Sequence, residues 1–504
     1  METTQSTLEL VLERAVRHVV DTQDAAGSWT TPPAPRILET GFACYALSVA
    51  GGADDAVARA RTWLALNSAS LQHDPIAIMT ENALRDLSLG KAVELDPDHP
   101  ALRNPVLRWR IALVQALTLH AGQWEHVWGD RAEAALAQLR SELSERYETA
   151  RKDRLRVWSI VEIAAARVIV ETHLGDAEAA REAAATIESI QSEDGSVAGM
   201  PISTAMAVLA LGIADPGGDA VRRARAYLVA QQLDNGGFGL LVCDVWDTIV
   251  TIWAFREHET FRQHSRDRAV AFLESMQHPD GGFPYATTVE PDLDSTAAAL
   301  HALVGVSDPA VIERSVGLYR DHQRPDGLWN TYYYAKDVPT DDCVAHIVAV
   351  LKQLPEAGTP SITVARQWLS DRFSAGEEFL CVYRNRPYTI DTIGAAIGYD
   401  HPAVRDAAAR VAAAQNSDGG WGQEAGEDSC ATATGAALAC LVHVGWQDSA
   451  ALDRAVEYLA ATQHADGSWP GPPELLGPRP LLSYVPAQSH AVVATGLMTL
   501  SGRC

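Results

Sequence analysis

The chain is short of basic residues, of sulfur and of long apolar runs, and each shortage excludes something. Of its 504 residues, 40 are Lys or Arg and 65 are Asp or Glu, a formal net charge of −25. Nucleic acids are held by basic surfaces, so no nucleic-acid partner is expected. An anionic small molecule would need a local basic pocket, a divalent metal, or both, to overcome the global field. Only seven cysteines occur, an odd number with no C-x-x-C pair. With no secretory apolar segment after Met1, that pattern points to reduced thiols and a cytoplasmic location. No apolar run is long enough to span a bilayer, so no stable membrane insertion is expected. Runs of β-branched residues are also short while alanine is abundant, which predicts an all-α protein.

What is present is a repeat. QQLDNGGFG, QHPDGGF, QRPDGLW, QNSDGGW and QHADGSW begin at Gln231, Gln277, Gln323, Gln415 and Gln463, steps of 46, 46, 92 and 48 residues. Since 92 is twice 46, a degenerate unit falls near Gln367. Each unit reads as an amphipathic helix ending in Gln, a D-G or N-G turn, an aromatic, then a second helix. Two weaker copies start at Gln23 and Gln191. A period in the forties built of helix–turn–helix units means hairpins stacked on their neighbours, as an open solenoid or a closed ring of about six. The closed ring is favoured, because helical solenoids do not normally carry this signature at every hairpin. The less regular segment between the weaker copies reads as a second helical domain. The expected layout is an N-terminal helix (1–22) belonging to the C-terminal ring, an inserted α-barrel (23–217), and the main ring (218–504), with Pro216–Gly218 as the return.

Within the main ring, PDLDSTAAAL (Pro291–Leu300) opens a helix with two aspartates. Carboxylates at a helix start are ordinarily caps for free N–H groups. Here the run that follows is apolar throughout, so the same carboxylates can also be buried titratable groups.

Taken in order, the motifs resemble those of the class II terpene cyclases, including the squalene–hopene cyclases. The Gln–Asp-Gly–Trp units resemble QW motifs, CDVWDT (Cys243–Thr248) a V-W-D-T segment, DLDST (Asp292–Thr296) the D-x-D-D-T acid motif, and DDCVAH (Asp341–His346) a D-x-x-A-H segment. LERAVRHVVDTQDAAGSW is similar to the opening helix and first QW motif. The resemblance implies two α/α barrels and a reaction in which an isoprenoid double bond is protonated and rings close through carbocations.

Protonating an alkene needs an undissociated acid in a dry site, so burial and negative neighbours must hold the proton on. The resemblance implies Asp294 as the general acid, Asp292 as its partner with Asp247 near, and His346, four residues after Asp342, as the partner that orients the acid. The chain departs from the D-x-D-D form at Ser295 and is closer to the D-x-D-T-T form of some bacterial prenyl diphosphate cyclases. Aromatics beside the matched motifs, Trp246, Trp329, Tyr332 with Tyr333 and Tyr334, and Tyr388, are candidates to stabilise cations by their ring faces.

The chain is shorter than typical squalene cyclases, which favours farnesyl or geranylgeranyl diphosphate and a bicyclic drimane- or labdane-type product. No D-D-x-x-D cluster suited to ionising the diphosphate is present. Candidates to hold it are Arg151, Lys152, Arg154 and Arg156, and Arg384 and Arg386, with Mg²⁺ bound through Glu81. A squalene-type triterpene cyclase is one alternative. A zinc-dependent protein prenyltransferase β subunit is another, with Asp341, Cys343 and His490 as ligands. Oligomeric state is left open.

Overall fold

The Gln and aromatic of each repeat are fastened in the same way every time, and this builds the fold. The computed structural model describes residues 2–502 apart from 69–71, 104, 154, 334–337, 356–357, 378, 380 and 478–480. Gln415 donates through Nε2 to the carbonyls of Gly419 (2.9 Å) and Ala451 (2.8 Å). Gln277 repeats the pattern with Gly281 and Val311, and Gln463 with Gly467 and Val11. One amide thus closes its own turn and ties it to a neighbouring helix. The aromatic reaches ten residues back: the indoles of Trp329, Trp421 and Trp469 donate to the carbonyls of Tyr319, Val411 and Leu459. The turn glycine is required twice over. Gly281 has φ +94°, and a Cβ there would lie 2.3 Å from the Arg314 carbonyl oxygen. In the degenerate unit Gln367 instead bonds Asp371 on its own helix, Thr363–Ala375.

The chain forms two compact units. The first comprises residues 1–32, 242–475 and 484–504. Its inner helices are Asp244–Phe255, Leu293–Leu303, Asp341–Leu351, Arg386–Ile397, Ala431–His443 and Pro486–Leu500. Each packs on the next and the last packs on the first, so the six close into a ring. These helices are rich in Ala and Thr because they are covered on nearly all sides. The closest approach is between Ala431–His443 and Pro486–Leu500, where a Cβ on Gly496 would lie 2.2 Å from the Gly435 carbonyl oxygen. Amphipathic helices pack around the ring, and Glu2–Thr22 completes them by packing on Ser449–Thr462.

The second unit comprises residues 33–241 and 476–483. Its inner helices, Ile37–Ala50, Pro75–Ser88, Pro105–His120, Val157–His173 and Pro201–Ala214, close a ring of five. The sequence places the return to the main ring at residue 218, whereas residues 218–241 group with this second unit. The cause is local: Gln232 donates to the carbonyls of Ala56 and Gly236, and the Phe238 amide donates to Thr40 Oγ1. The turn of that repeat is fastened to the second ring, and the chain leaves it only afterwards.

Candidate active site

Residues from the first turns of the inner helices meet inside the six-helix ring. Asp292 caps Leu293–Leu303: its carboxylate accepts from the Ser295 amide (2.7 Å) and the Ser295 hydroxyl (3.0 Å). Ser295, the departure from the acid motif, therefore serves to hold Asp292. Asp294, two residues along, is buried, and its Oδ1 lies 2.8 Å from His346 Nδ1. His346 Nε2 lies 3.1 Å from the Tyr388 hydroxyl. Asp342 accepts from the Cys343 amide (2.9 Å) and from the Val382 amide. Three helices thus contribute an acid, an imidazole and a phenol in series.

The electrostatics of the series follow from its neighbours. Burial disfavours a charged imidazole, but Asp294 and then Asp342 outweigh it, and His346 ends above its ordinary value. Nearby His301 has no carboxylate partner and burial takes it down to about 3. Trp253 stacks on His301 with ring centroids 4.9 Å apart and presents its edge to His346. Tyr388 also meets Tyr383 edge to face at 5.3 Å.

Behind His346 and Tyr388 a cavity of about 230 Å³ runs inside the ring. Trp246, Trp253, Tyr388 and the small side chains of Ala436, Ala439 and Ala491 line it. Its polar groups include Gln353, which bonds His301, and Asp391, which bonds His443 at 2.8 Å. Trp246 is held by a hydrogen bond from its indole to Gln488 Oε1 (3.0 Å).

The other sequence candidates stand elsewhere. Asp247 is buried and accepts from the Thr31 amide (3.0 Å), and burial pushes it up to about 7. Trp329 is fully buried within the wall of the ring. Tyr332 is half-buried in the loop that follows it, and Tyr334 and Arg154 lie outside the described residues. Arg384 donates to Glu427 and Gln423, Arg386 pairs with Glu424 at 3.4 Å, and Arg151 pairs with Glu182 at 2.6 Å. Lys152 is exposed, and Arg156 is buried with its guanidinium over Trp158.

Glu81, the expected metal ligand, is buried in the second unit with Gln72 donating to it (3.2 Å). Desolvation pushes its carboxyl up to about 7 despite the neighbouring Arg36 guanidinium, which itself forms a buried pair with Glu39. Beside a buried guanidinium that already holds Glu39, Glu81 does not offer the cluster of free oxygens a divalent cation takes. Among the described residues no group of three or more His, Cys, Asp or Glu side chains is gathered to hold a metal. The zinc alternative meets the same obstacle: Asp341 pairs with Arg372 (2.7 Å), Cys343 is buried against the Asn330 carbonyl, and His490 faces the Ala15 carbonyl.

Sequence reasoning missed Trp253, His301, Asn385 and Glu474, which surround the series. None lies in a repeated or matched motif, so only their place in the ring reveals them.

A closed ring of helical hairpins around such a site is the architecture of the α/α toroids. Residues 246–477 match the family described as prenyltransferase alpha-alpha toroid domain. The chain is 28% identical over 303 residues to a drimenyl diphosphate synthase of Streptomyces showdoensis, covering 58% of this chain and 50% of that protein. It is 29% identical over 290 residues to a squalene–hopene cyclase of Bradyrhizobium diazoefficiens, covering 45% of this chain and 44% of that one. The chain thus aligns with about half the length of these curated relatives. Its fold is that of an ent-copalyl diphosphate synthase from Streptomyces platensis, with a TM-score of 0.57 at 18% identity over 99% of this chain and 100% of the other. Over residues 246–477 the chain is thus similar to the prenyltransferase alpha-alpha toroid family, and over about half its length to class II terpene cyclases. Among the described residues no helix is long and apolar enough to cross a membrane.

Proposed function

We propose that the protein is a class II terpene cyclase acting on a linear prenyl diphosphate, geranylgeranyl or farnesyl, and that it retains the diphosphate in a bicyclic labdane- or drimane-type product. The observation that carries this reading is the buried Asp294 carboxyl bonded through Oδ1 to His346. Its other oxygen, Oδ2, holds the proton. As the terminal alkene of the substrate takes that proton, its π electrons form the new C–H bond and a tertiary cation is left. Successive alkenes close on the cation, and the last cation is quenched either by loss of a proton to solvent, leaving a double bond, or by capture of water with release of a proton, leaving an alcohol.

The imidazole partner tunes the acid. The His346 imidazolium donates to Oδ1 and stabilises the carboxylate that develops as the proton departs, an interaction stronger in the transition state than before it. Tyr388 sits on the far nitrogen of His346 and fixes the ring. Trp246 supplies an aromatic face for cations beside Tyr388. Arg384 and Arg386 are proposed diphosphate contacts, each exchanging a carboxylate for the ligand. Mg²⁺ enters only as a counter-ion of the diphosphate, and no step is routed through Glu81.

The test is incubation of the purified protein with each diphosphate and Mg²⁺, followed by phosphatase treatment and product identification. A bicyclic alcohol from either substrate supports the reading and sets the chain length. Return of only the linear alcohols from both, with conversion of squalene, would replace it with the triterpene cyclase alternative.

A further inference from the structure

We propose that Glu474 and Asn385 are positioning residues for the Asp294 acid, acting through Tyr388. The inference rests on the cyclase reading above, and extends the site to a loop that no motif marks. Glu474 precedes the end of the first unit's main segment and is buried at 2% exposure. Its Oε2 accepts from Asn385 Nδ2 (3.2 Å). Asn385 is the N-cap of Arg386–Ile397, and its Oδ1 accepts from the Tyr388 amide (3.2 Å). The Tyr388 hydroxyl meets His346 Nε2, and His346 Nδ1 meets Asp294. An unbroken hydrogen-bonded string therefore joins two buried carboxyls, Glu474 and Asp294, through an amide, a helix start, a phenol and an imidazole.

Several features show that the far end of this string is built to hold still. The Arg384 amide donates to the Glu474 carbonyl (2.8 Å), and Tyr383 pairs antiparallel with Leu475. The segment 383–385 is thus clamped to 474–475 by backbone as well as by side chain. Gln423 flanks the same carboxyl, and its Oε1 is held by Arg384. Both amide atoms of Asn385 are used, which fixes its orientation. An N-cap held in this way sets where the first turn begins and so where Tyr388 points. Tyr388 in turn fixes the His346 ring, because the partner at one ring nitrogen sets the orientation in which the other meets Asp294. Glu474 and Asp294 also act on the same two phenols: each raises both Tyr383 and Tyr388, after burial.

The test is a double-mutant cycle on the full chain, Glu474→Ala, Asn385→Ala and the pair together, with kcat, KM and thermal unfolding measured on whichever prenyl diphosphate the wild type cyclises. Each single variant should lower kcat on the order of tenfold with KM little changed, as loss of an outer positioning contact does. The double variant should be no slower than the singles, because both remove one string. Glu474→Gln, which keeps an acceptor for Asn385, should restore most of the rate. Losses that multiply in the double variant, that fall in KM, or that show only as a lower melting temperature would overturn the proposal. A second readout does not require turnover. In histidine-labelled protein, with the His346 signals assigned through His346→Gln, both alanine variants should move the pH midpoint at which the His346 ring signals titrate in NMR. An unchanged His346 midpoint would also overturn it. A wild type that cyclises no prenyl diphosphate while the midpoint shift is present would strike the cyclase reading and leave the positioning role standing.

Discussion

The two rings share one construction and use buried carboxyls differently. In the five-helix ring, buried acids stand beside arginines: Glu39 is wholly buried and pairs with Arg36, and buried Glu171 pairs with Arg140 at 2.7 Å. In the six-helix ring Asp341 follows the same rule with Arg372. Asp294 does not. Its partner is an imidazole, whose own proton is labile, and behind that stands a phenol. A guanidinium stays charged at any accessible pH and locks its carboxylate in the ionised form. An imidazole leaves the carboxyl able to hold and release a proton. The partner, more than the burial, therefore decides whether an interior acid is structural or reactive.

That contrast can be broken or sharpened in four ways, and the largest effect belongs to the acid itself. Asp294→Asn keeps the shape and an acceptor for His346 but removes the transferable proton. Turnover should fall by roughly 10³-fold or more with an unchanged melting temperature, at the upper range for loss of a general acid. Near-normal cyclisation by the folded variant would end the assignment.

The converse test lies in the other ring. Arg36→Met leaves Glu39 buried without its cation, which should cost about 3–5 kcal/mol in urea unfolding of that unit. A stability equal to that of the wild type would show that its buried acids do not depend on arginine.

Glu81 stands between the two cases, near a guanidinium yet favouring its proton. Burial raises it from 4.5 to about 7. A carboxyl whose folded value is raised stabilises the fold below its unfolded value and loses that contribution as pH climbs through 4.5 to 7. The loss can reach ~3 kcal/mol. Glu81→Gln should therefore unfold at higher temperature than the wild type at pH 8 and at nearly the same temperature at pH 4. If Mg²⁺ stabilised the wild type and not this variant, Glu81 would be a metal ligand after all.

The smallest effect is at His346. His346→Gln should slow turnover on the order of 10²-fold. Because the folded pKa is raised above 6.5, the imidazolium and its contribution are present below that value and are lost as pH rises through the folded one. The wild-type rate should fall along that limb, and the variant's pH profile should be flat across it.

Much of this was legible in the residues. Gln, Asp-Gly and aromatic at a period near 46 specify the hairpin, because an amide, a positive-φ turn and a long indole each have one local job, and the structure shows those jobs done at the same offsets. Asp294 and His346 were legible as well, through ordered motifs. The return to the main ring was not: the last weak turn before residue 242 uses the same grammar, and only its contacts with Thr40 and Ala56 assign it to the second ring.

By itself, then, the sequence determined the helical repeat and offered Asp294 and His346 as candidates, since local propensity and side-chain chemistry travel with the residues. Tertiary structure alone decided which buried carboxyl met a guanidinium and which met a histidine. Asp294 and His346 lie 52 residues apart and Asn385 and Glu474 lie 89 apart. Such pairings depend on how six helices close into a ring, and no pattern along the chain encodes that closure residue by residue.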